Sequence, residues 1–428
     1  LRSAHGLEYV LTDPAVVLPQ ADGDALVMHR DIDATADEIA RWSKNDAESF
    51  RGLLAEWSNG LSAAHARWNS ALPNTNRDYQ ELRGQSAWDV VHDRFTNPTI
   101  RSFMLWLALA TIQDPRRPGT GVLPSAIAAG RINYGWTTPI GGSSALPAAL
   151  IRQIEAHGGT VACSSPVDTI DIEHGRAVAV RTRSGQRVKA RNAVVSSAHL
   201  VHLPDMLSGI DVPSDLSSAR DTWRPGLSVF AVHAALRHDL AFPTRNGPIQ
   251  SVAAGFGTTE GIARQLTAVD NGDPWVLVVN QTLIDRTRAP GDAATFKILT
   301  IAPYERADGR PWHETKQAHA EALLALVRSR TQGLEPEDIL AVRAESPVDV
   351  AAHNQHNLGG SCHGGEFVTK TGEVIPGWPT YRTSVPGLYL TGATTHPGGS
   401  VSARPGRNTA RTVLTDLALN PARVMSQA

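Results

Sequence analysis

The chain has 428 residues, enough for two or three domains with a sizeable core, and carries 40 basic against 42 acidic side chains for a formal charge of −2. That balance gives no electrostatic basis for a nucleic-acid or anionic-membrane partner. A hydrophobic share of 41% and a charged share of 19% fit an ordinary soluble globular protein, and two cysteines, Cys163 and Cys362, exclude a disulfide framework. A cytoplasmic location is the expectation.

Residues Leu1 to Tyr9 lack the charged-then-apolar layout of a secretory leader. From 30 to 115 the sequence reads as helical. Thr35 and Glu38 have capping-box spacing. Phe50, Leu53, Leu54, Trp57 and Leu61 trace one apolar helix face. Ser86 and Asp89 repeat the capping spacing before Trp88, Val91 and Phe95, and Asn97-Pro98 then interrupts. The run Phe103 to Ala110 is too short for a bilayer, which takes about 20 residues, and reads as a buried core helix.

From 131 the character changes. Ile140-Gly141-Gly142-Ser143 is a glycine turn, Ser144 is placed to cap a helix carrying Leu146, Leu150 and Ile154, and Gly158-Gly159 ends it. Short β-rich runs follow at Thr160–Cys163, Val167–Ile172, Ala177–Arg181 and Arg187–Lys189, and Ala193–Ser196 reads as a buried strand returning to the main sheet. Leu227–Ala235, Trp275–Gln281 and Phe296–Ile301 predict a second sheet, with a helix over His313–Arg328 beside it. Leu388-Tyr389-Leu390 is a short strand, and a helix is expected from about Gly406 to Leu419.

The most informative stretch is Gly387-Leu388-Tyr389-Leu390-Thr391-Gly392-Ala393-Thr394-Thr395-His396-Pro397-Gly398-Gly399-Ser400-Val401, continuing to Pro405-Gly406-Arg407-Asn408. A strand stops in a glycine-rich turn and a helix starts soon after, with Pro405 placed for its first turn. Free N–H groups there attract a phosphate or a polarised carbonyl. A purely structural strand–helix connection fits the same pattern.

These residues resemble the C-terminal flavin-contacting signature of phytoene desaturases and related amine-oxidase-fold enzymes. Pro139-Ile140-Gly141-Gly142, the helix to Gly158-Gly159, the strands around Val167 and the run Val194-Val195-Ser196-Ser197-Ala198 are similar to that family's central FAD-binding segment. Gly6-Leu7-Glu8-Tyr9 and Asp31 to Ser43 are similar to its early helical cap. The resemblance implies a mixed α/β fold in which an incomplete FAD-binding, Rossmann-like domain is interleaved with a substrate domain of β-sheet plus helices. Residues 1–130 would form a helical cap, 131–206 the central FAD-binding-like segment, 207–355 the substrate domain and 356–428 the flavin-signature segment. FAD would lie between the domains, with Val167 at the adenosine half, Gly141 and Gly142 near the flavin, and Gly392, Ala393, Gly398, Gly399 and Val401 along the isoalloxazine and ribityl chain. Relatives act on hydrophobic molecules, often natural-product intermediates.

Two features depart from the family. No Gly-x-Gly-x-x-Gly follows a strand near the start, and no acidic residue about 20 positions on is available for the ribose. Gly119-Thr120-Gly121 and Gly255-Phe256-Gly257-Thr258-Thr259-Glu260-Gly261 read as turns. Ser400, Ala403 and Arg404 stand where relatives carry small residues, glycine included. Three expectations follow: a flavin-dependent oxidoreductase whose nucleotide half lies in preceding residues or a second chain, a flavin-free isomerase, cyclase or lyase, or a non-catalytic subunit that associates with itself or a partner. His396, Glu366 and Arg404 are the candidate acid, base and anion-holder. Tyr134, Trp136 and Tyr381 are candidate pocket walls. His353, His356, Cys362 and His363 lack the tight spacing of a zinc site, so no metal is expected. Gly142-Ser143-Ser144-Ala145 lacks the last glycine of a nucleophile elbow.

Overall fold

The computed structural model describes residues 2–268, 272–366 and 381–426. Its largest sheet has seven strands, in the order Ile339–Glu345, Val229–Leu236, Ala294–Ile301, Val276–Val279, Ala253–Phe256, Val16–Pro19, Ala25–Met28. All neighbours are antiparallel except Ala253–Phe256 with Val16–Pro19. Side chains alternate between the faces with the period of two that a strand imposes. Val16 and Leu18 enter one apolar core with Phe50, Leu53, Phe103, Trp106 and other residues of the helices. Val17 points the other way, into a second core with Trp312, Leu323 and Val327 of helix Trp312–Arg328. Where both faces are covered, as at Val16–Pro19, Ala25–Met28, Ala253–Phe256 and Val276–Val279, the strand reads as a continuous apolar run, whereas the edge strand Ile339–Glu345 is largely exposed.

The helical layer follows the sequence expectations with informative exceptions. Ser86 accepts from the Asp89 amide at 3.0 Å and caps helix Ala87–Arg94. Asn97 then caps helix Pro98–Leu109, whose residues Phe103 to Leu109 are all fully buried. The cap of the first long helix is Asp31, not Thr35: Asp31 accepts from the Ala34 amide at 2.8 Å, while the Thr35 hydroxyl is buried inside the turn and donates to the Asp31 carbonyl. The face of Phe50, Leu53 and Leu54 is buried, but the helix breaks at Asn59–Gly60, where Gly60 has φ 142°.

The second unit is smaller. Four strands, Arg187–Lys189, Arg176–Thr182, Val167–Glu173 and Leu207–Ser208, form one sheet. Val194–Ser196 leaves this sheet for the C-terminal segment. It pairs in parallel with Leu388–Leu390 in a sheet of its own. Helix Ala145–Ala156 stops before Gly158, which has φ +76°, as the glycine pair predicts, but Ser144 makes no side-chain cap bond. Thr160–Cys163 forms no strand. The C-terminal helix runs Arg404–Asp416, starting two residues earlier than expected. It is tied to the strand before it by the Thr409 hydroxyl on the Leu390 carbonyl (2.8 Å) and by Asp416, which takes both Arg382 and the Tyr389 hydroxyl.

Candidate functional site

The signature turn is docked against the helical layer by a small polar network. His396 Nε2 lies 2.6 Å from the Trp68 carbonyl; a carbonyl only accepts, so this nitrogen carries the hydrogen. The imidazole also meets the Trp68 indole edge-on, with centroids 4.6 Å apart. Behind it the Tyr381 hydroxyl donates to the His396 carbonyl at 2.9 Å, and Asn408 Nδ2 reaches both Tyr381 and the Asn69 carbonyl. Burial, with the Arg83 charge nearby, lowers the His396 pKa, so the ring is neutral at pH 7.

Between this turn and helices Ser62–Asn69, Arg77–Gly84 and Leu123–Tyr134 lies a cavity of about 320 Å³. Ala110, Val122, Leu123, Ala126 and Ile127 give it an apolar wall, and among the described residues no acidic side chain lines it. Arg83, Arg131 and Arg404 do. The Arg83 guanidinium stacks 3.9 Å from the Trp68 ring and Arg131 lies 3.9 Å from Trp136. Burial lowers the pKa of all three, Arg131 to about 10, and no carboxylate among the described residues offsets it. His65, on the same wall, is pushed down to about 4 by burial, with Arg404 and Arg83 adding to the shift.

A second opening of about 780 Å³ lies across the sheet where the helical layer stops, bordered by His233, Lys297, Leu299 and Arg343 on one side and by Gly141, Gly142 and Arg288 on the other. Trp136 lines this groove while its stacked partner Arg131 lines the cavity, so the Arg131–Trp136 pair stands between the two. Gly141 and Gly142 have φ of +81° and +96°, and a Cβ at Gly141 would meet nothing within 4 Å. The left-handed backbone accounts for glycine there, with open room beside it. The Gly141 amide is already used, donating to Asp285 Oδ2 at 2.9 Å.

Gly141 and Gly142 border the groove, whereas Val401 is exposed beside the signature turn, near the positive end of helix Arg404–Asp416. The inner part of the signature turn is filled by the chain itself: a Cβ on Gly399 would come 2.6 Å from the His363 carbonyl, and one on Gly364 would come 2.1 Å from that of Ala393. The diphosphate half finds no cradle among the described residues. Gly255 to Gly261 is not a turn, as expected from sequence, but a strand, a bend and helix Thr259–Gln265. Its glycines are packed solid, facing the Trp106 ring, the Pro274 carbonyl and the Asp273 carbonyl at 2.4, 2.8 and 1.8 Å from a built Cβ.

The three acid–base and anion-holding candidates are not brought together. Arg404 lines the cavity and His396 backs it. Glu366 lies between Arg224 (3.5 Å) and Arg117 (4.0 Å), and burial raises its pKa despite those charges. Its neighbour Gly365 touches the cavity rim through Gln113. Val167 is exposed at a strand start, and Gly392 and Gly398 hold φ of +94° and +102° in the turn. Trp136 is a wall; Tyr381 is buried behind the turn and Tyr134 faces outward. His353 pairs with Glu345, His356 faces His199, and no metal-holding group of three side chains occurs among the described residues.

Sequence reasoning missed Arg83 and Arg131. The signal is present for Arg131, the one charge in a helix reading Leu-Pro-Ser-Ala-Ile-Ala-Ala-Gly-Arg-Ile-Asn-Tyr. No acidic residue stands three or four positions from it to pair along the helix.

A mixed α/β scaffold with a glycine-rich strand-to-helix turn bordering an apolar, arginine-lined cavity is that of an oxidoreductase-like enzyme for small molecules. The family described as flavin containing amine oxidoreductase matches residues 38–414, and the chain belongs to that family. It is 24% identical to a protein of Castellaniella defragrans described as one of the subunits of limonene dehydrogenase, over 97% of this chain and 82% of that protein. It is 23% identical to a neurosporene-forming phytoene desaturase of Cereibacter sphaeroides over 97% and 80%. A putrescine oxidase variant shares the fold with a TM-score of 0.63 at 15% identity, covering 96% of this chain and 83% of that one. No helix among the described residues is long and apolar enough to cross a membrane.

Proposed function

We propose that this chain is an FAD-dependent dehydrogenase or desaturase acting on a hydrophobic small molecule that occupies the cavity beside the signature turn. The observation that carries the reading is that the apolar residues Ala110, Val122, Leu123, Ala126 and Ile127 line the same cavity as Pro397, Gly399 and Ser400. Relatives described as limonene dehydrogenase and phytoene desaturase support a hydrophobic substrate. When bound, FAD supplies the ring that takes up hydride. Gly141, Gly142, Gly392, Ala393, Gly398, Gly399 and Val401 line the ring and ribityl chain in this reading, and Val167 the adenosine end.

The protein's own contribution is position and exclusion of water. His396 holds the turn on Trp68, the Arg131–Trp136 stack separates the cavity from the groove, and the aliphatic wall keeps the reacting carbon dry. Arg404 holds the polar end of the substrate at the cavity mouth. Glu366, with its raised pKa, is the group available for proton transfer at the rim. The diphosphate is held by residues outside those described, in the same polypeptide or in a second chain, and the relative described as a limonene dehydrogenase subunit supports a second chain.

The visible spectrum of the purified protein, before and after FAD is added and the excess removed, tests the proposal. A flavin band that stays with the protein is expected. A protein that remains colourless, alone and with a candidate partner chain, refutes it and favours proton chemistry without flavin.

A further inference from the structure

Arginine is rarely buried without a carboxylate, because its charge loses hydration and must regain it from fixed partners. Around the cavity Arg83 and Arg131 are half-buried and Arg404 is exposed, and none of the three meets a carboxylate among the described residues. Arg83, Arg131 and Arg404 line one space of about 320 Å³ whose walls, among the described residues, hold no Asp or Glu. Elsewhere the protein pairs its arginines generously. Arg94 grips Glu56, Arg330 grips Asp273 and Arg382 grips Asp416, each through contacts of 2.7 to 3.0 Å. Other half-buried arginines, Arg101 and Arg328, meet backbone carbonyls instead, so what sets the cavity apart is that three guanidiniums face one space.

Each of the three is also set in place. Arg83 lies on Trp68 and Arg131 on Trp136, both at 3.9 Å, which fixes the plane of each fork, and Arg83 also bonds the Tyr79 hydroxyl. Arg131 spends one nitrogen on the Gly135 carbonyl, and its buried Nε has no partner among the described residues. Arg404 sits at the open end, in the first turn of helix Arg404–Asp416, where the helix dipole adds to its charge. Both Arg83 and Arg404 reach the neighbouring His65 electrostatically, so the charges act on the same space. The apolar side of the same space is Ala110, Val122, Leu123, Ala126 and Ile127, the last three on the helix that carries Arg131. A ligand that satisfies both sides has an anionic head and an apolar body.

We infer that the substrate cavity selects a hydrophobic molecule bearing a carboxylate or phosphate, held by Arg83, Arg131 and Arg404 while its apolar part lies on the Ala110–Ile127 wall. The inference rests on the reading of this cavity as the substrate site and adds the chemical class of the substrate. An anion in this position replaces the missing carboxylates with charge-assisted hydrogen bonds, which are worth more in a site shielded from water. A neutral hydrocarbon gains none of these bonds, leaves the buried Arg131 Nε without a partner and binds less well for that reason.

The test uses 2-naphthoate and its neutral counterpart 2-naphthalenemethanol, titrated into the full chain by calorimetry and by quenching of tryptophan fluorescence. Naphthoate is expected to bind at least about ten-fold more tightly, with the preference shrinking as salt rises. Arg83→Gln and Arg131→Gln should each weaken naphthoate about ten-fold and leave the alcohol unchanged. Circular dichroism checks that the variants fold. Should Arg131→Gln fail to fold, Arg404→Gln, whose side chain lies at the open end, gives the same readout. Equal affinity for the two probes, or variants that lose both equally, overturns the inference. A repeat with saturating FAD separates substrate from cofactor: naphthoate that still binds supports the inference, and naphthoate displaced by FAD overturns it by assigning the arginines to the cofactor's phosphates. FAD that fails to bind counts against the proposed function alone, since the preference for naphthoate is read without it.

Discussion

Trp68 receives two contacts from His396, a hydrogen bond to its carbonyl and an edge-on ring contact. His396→Ala removes them together and leaves the Trp68 carbonyl facing a hole. The expected cost is about 2–3 kcal/mol, from one lost hydrogen bond and one lost aromatic contact beyond the lost volume. Urea unfolding measures it; an unchanged midpoint would leave the imidazole free for chemistry and not for docking. His199 makes a separate prediction. Burial, together with His356 and His202, pushes its pKa from 6.5 to about 3. The folded protein thus refuses a proton that the unfolded chain accepts, so this contribution is complete above pH 6.5 and is lost as pH falls towards 3. The slope is at most about 1.4 kcal/mol per pH unit. His199 Nδ1 accepts from the Val201 amide and Nε2 has no partner among the described residues, so His199→Asn can keep the one bond that exists. The variant should show a flatter fall in urea midpoint between pH 6.5 and 5, and an unaltered fall would place the acid sensitivity on His65.

Periodic elements are legible in the sequence where local pattern and tertiary packing agree. Helix Pro98–Leu109, strand Val229–Leu236 and strand Ala294–Ile301 carry apolar repeats long enough to fix both type and place. Val16–Pro19 and Ala25–Met28 leave no such mark, because four-residue strands buried on both faces show no alternation. The signature turn is legible as a glycine-rich link between strand and helix, but its tight contact with His363–Gly365 joins segments about thirty residues apart and has no local trace. The cavity is less legible still, since two of its arginines come from separate helices. The glycines give an element-scale test. Gly364→Ala puts a Cβ 2.1 Å from the Ala393 carbonyl at φ +80°, so the loop must leave the turn. Gly141→Ala meets only open space at φ +81°. The second should cost about 1 kcal/mol of backbone strain and the first well over about 2 kcal/mol, with new protease cleavage near residue 364. Equal losses would mean that the loop does not rest on the turn.

Across the molecule the packing is uneven, and stability should follow it. Most of the seven-stranded sheet is packed on both faces by two large apolar cores, while its edge strand Ile339–Glu345 is largely exposed. The smaller unit has one modest core around Ile170, Leu203 and Leu388, and beyond it Val167, Val188, Val195, Leu150 and Ile154 are more than a third exposed. Local opening costs least where few apolar side chains must be uncovered. In hydrogen exchange the amides of Val229–Leu236 and Ala294–Ile301 should therefore be the last to exchange, and those of Val167–Glu173, Val194–Ser196 and Leu388–Leu390 should go first. The smaller unit is also where the proposed cofactor would rest, and a ligand that binds only the folded form adds stability as RT ln(1 + [L]/Kd). Saturating FAD should slow exchange in the second set, by about a hundred-fold when present at about a hundred times its Kd, and leave the first set nearly unchanged. Protection gained in the large sheet instead would move the cofactor to the groove above His233 and Lys297, and the signature turn would then serve only to join the two units.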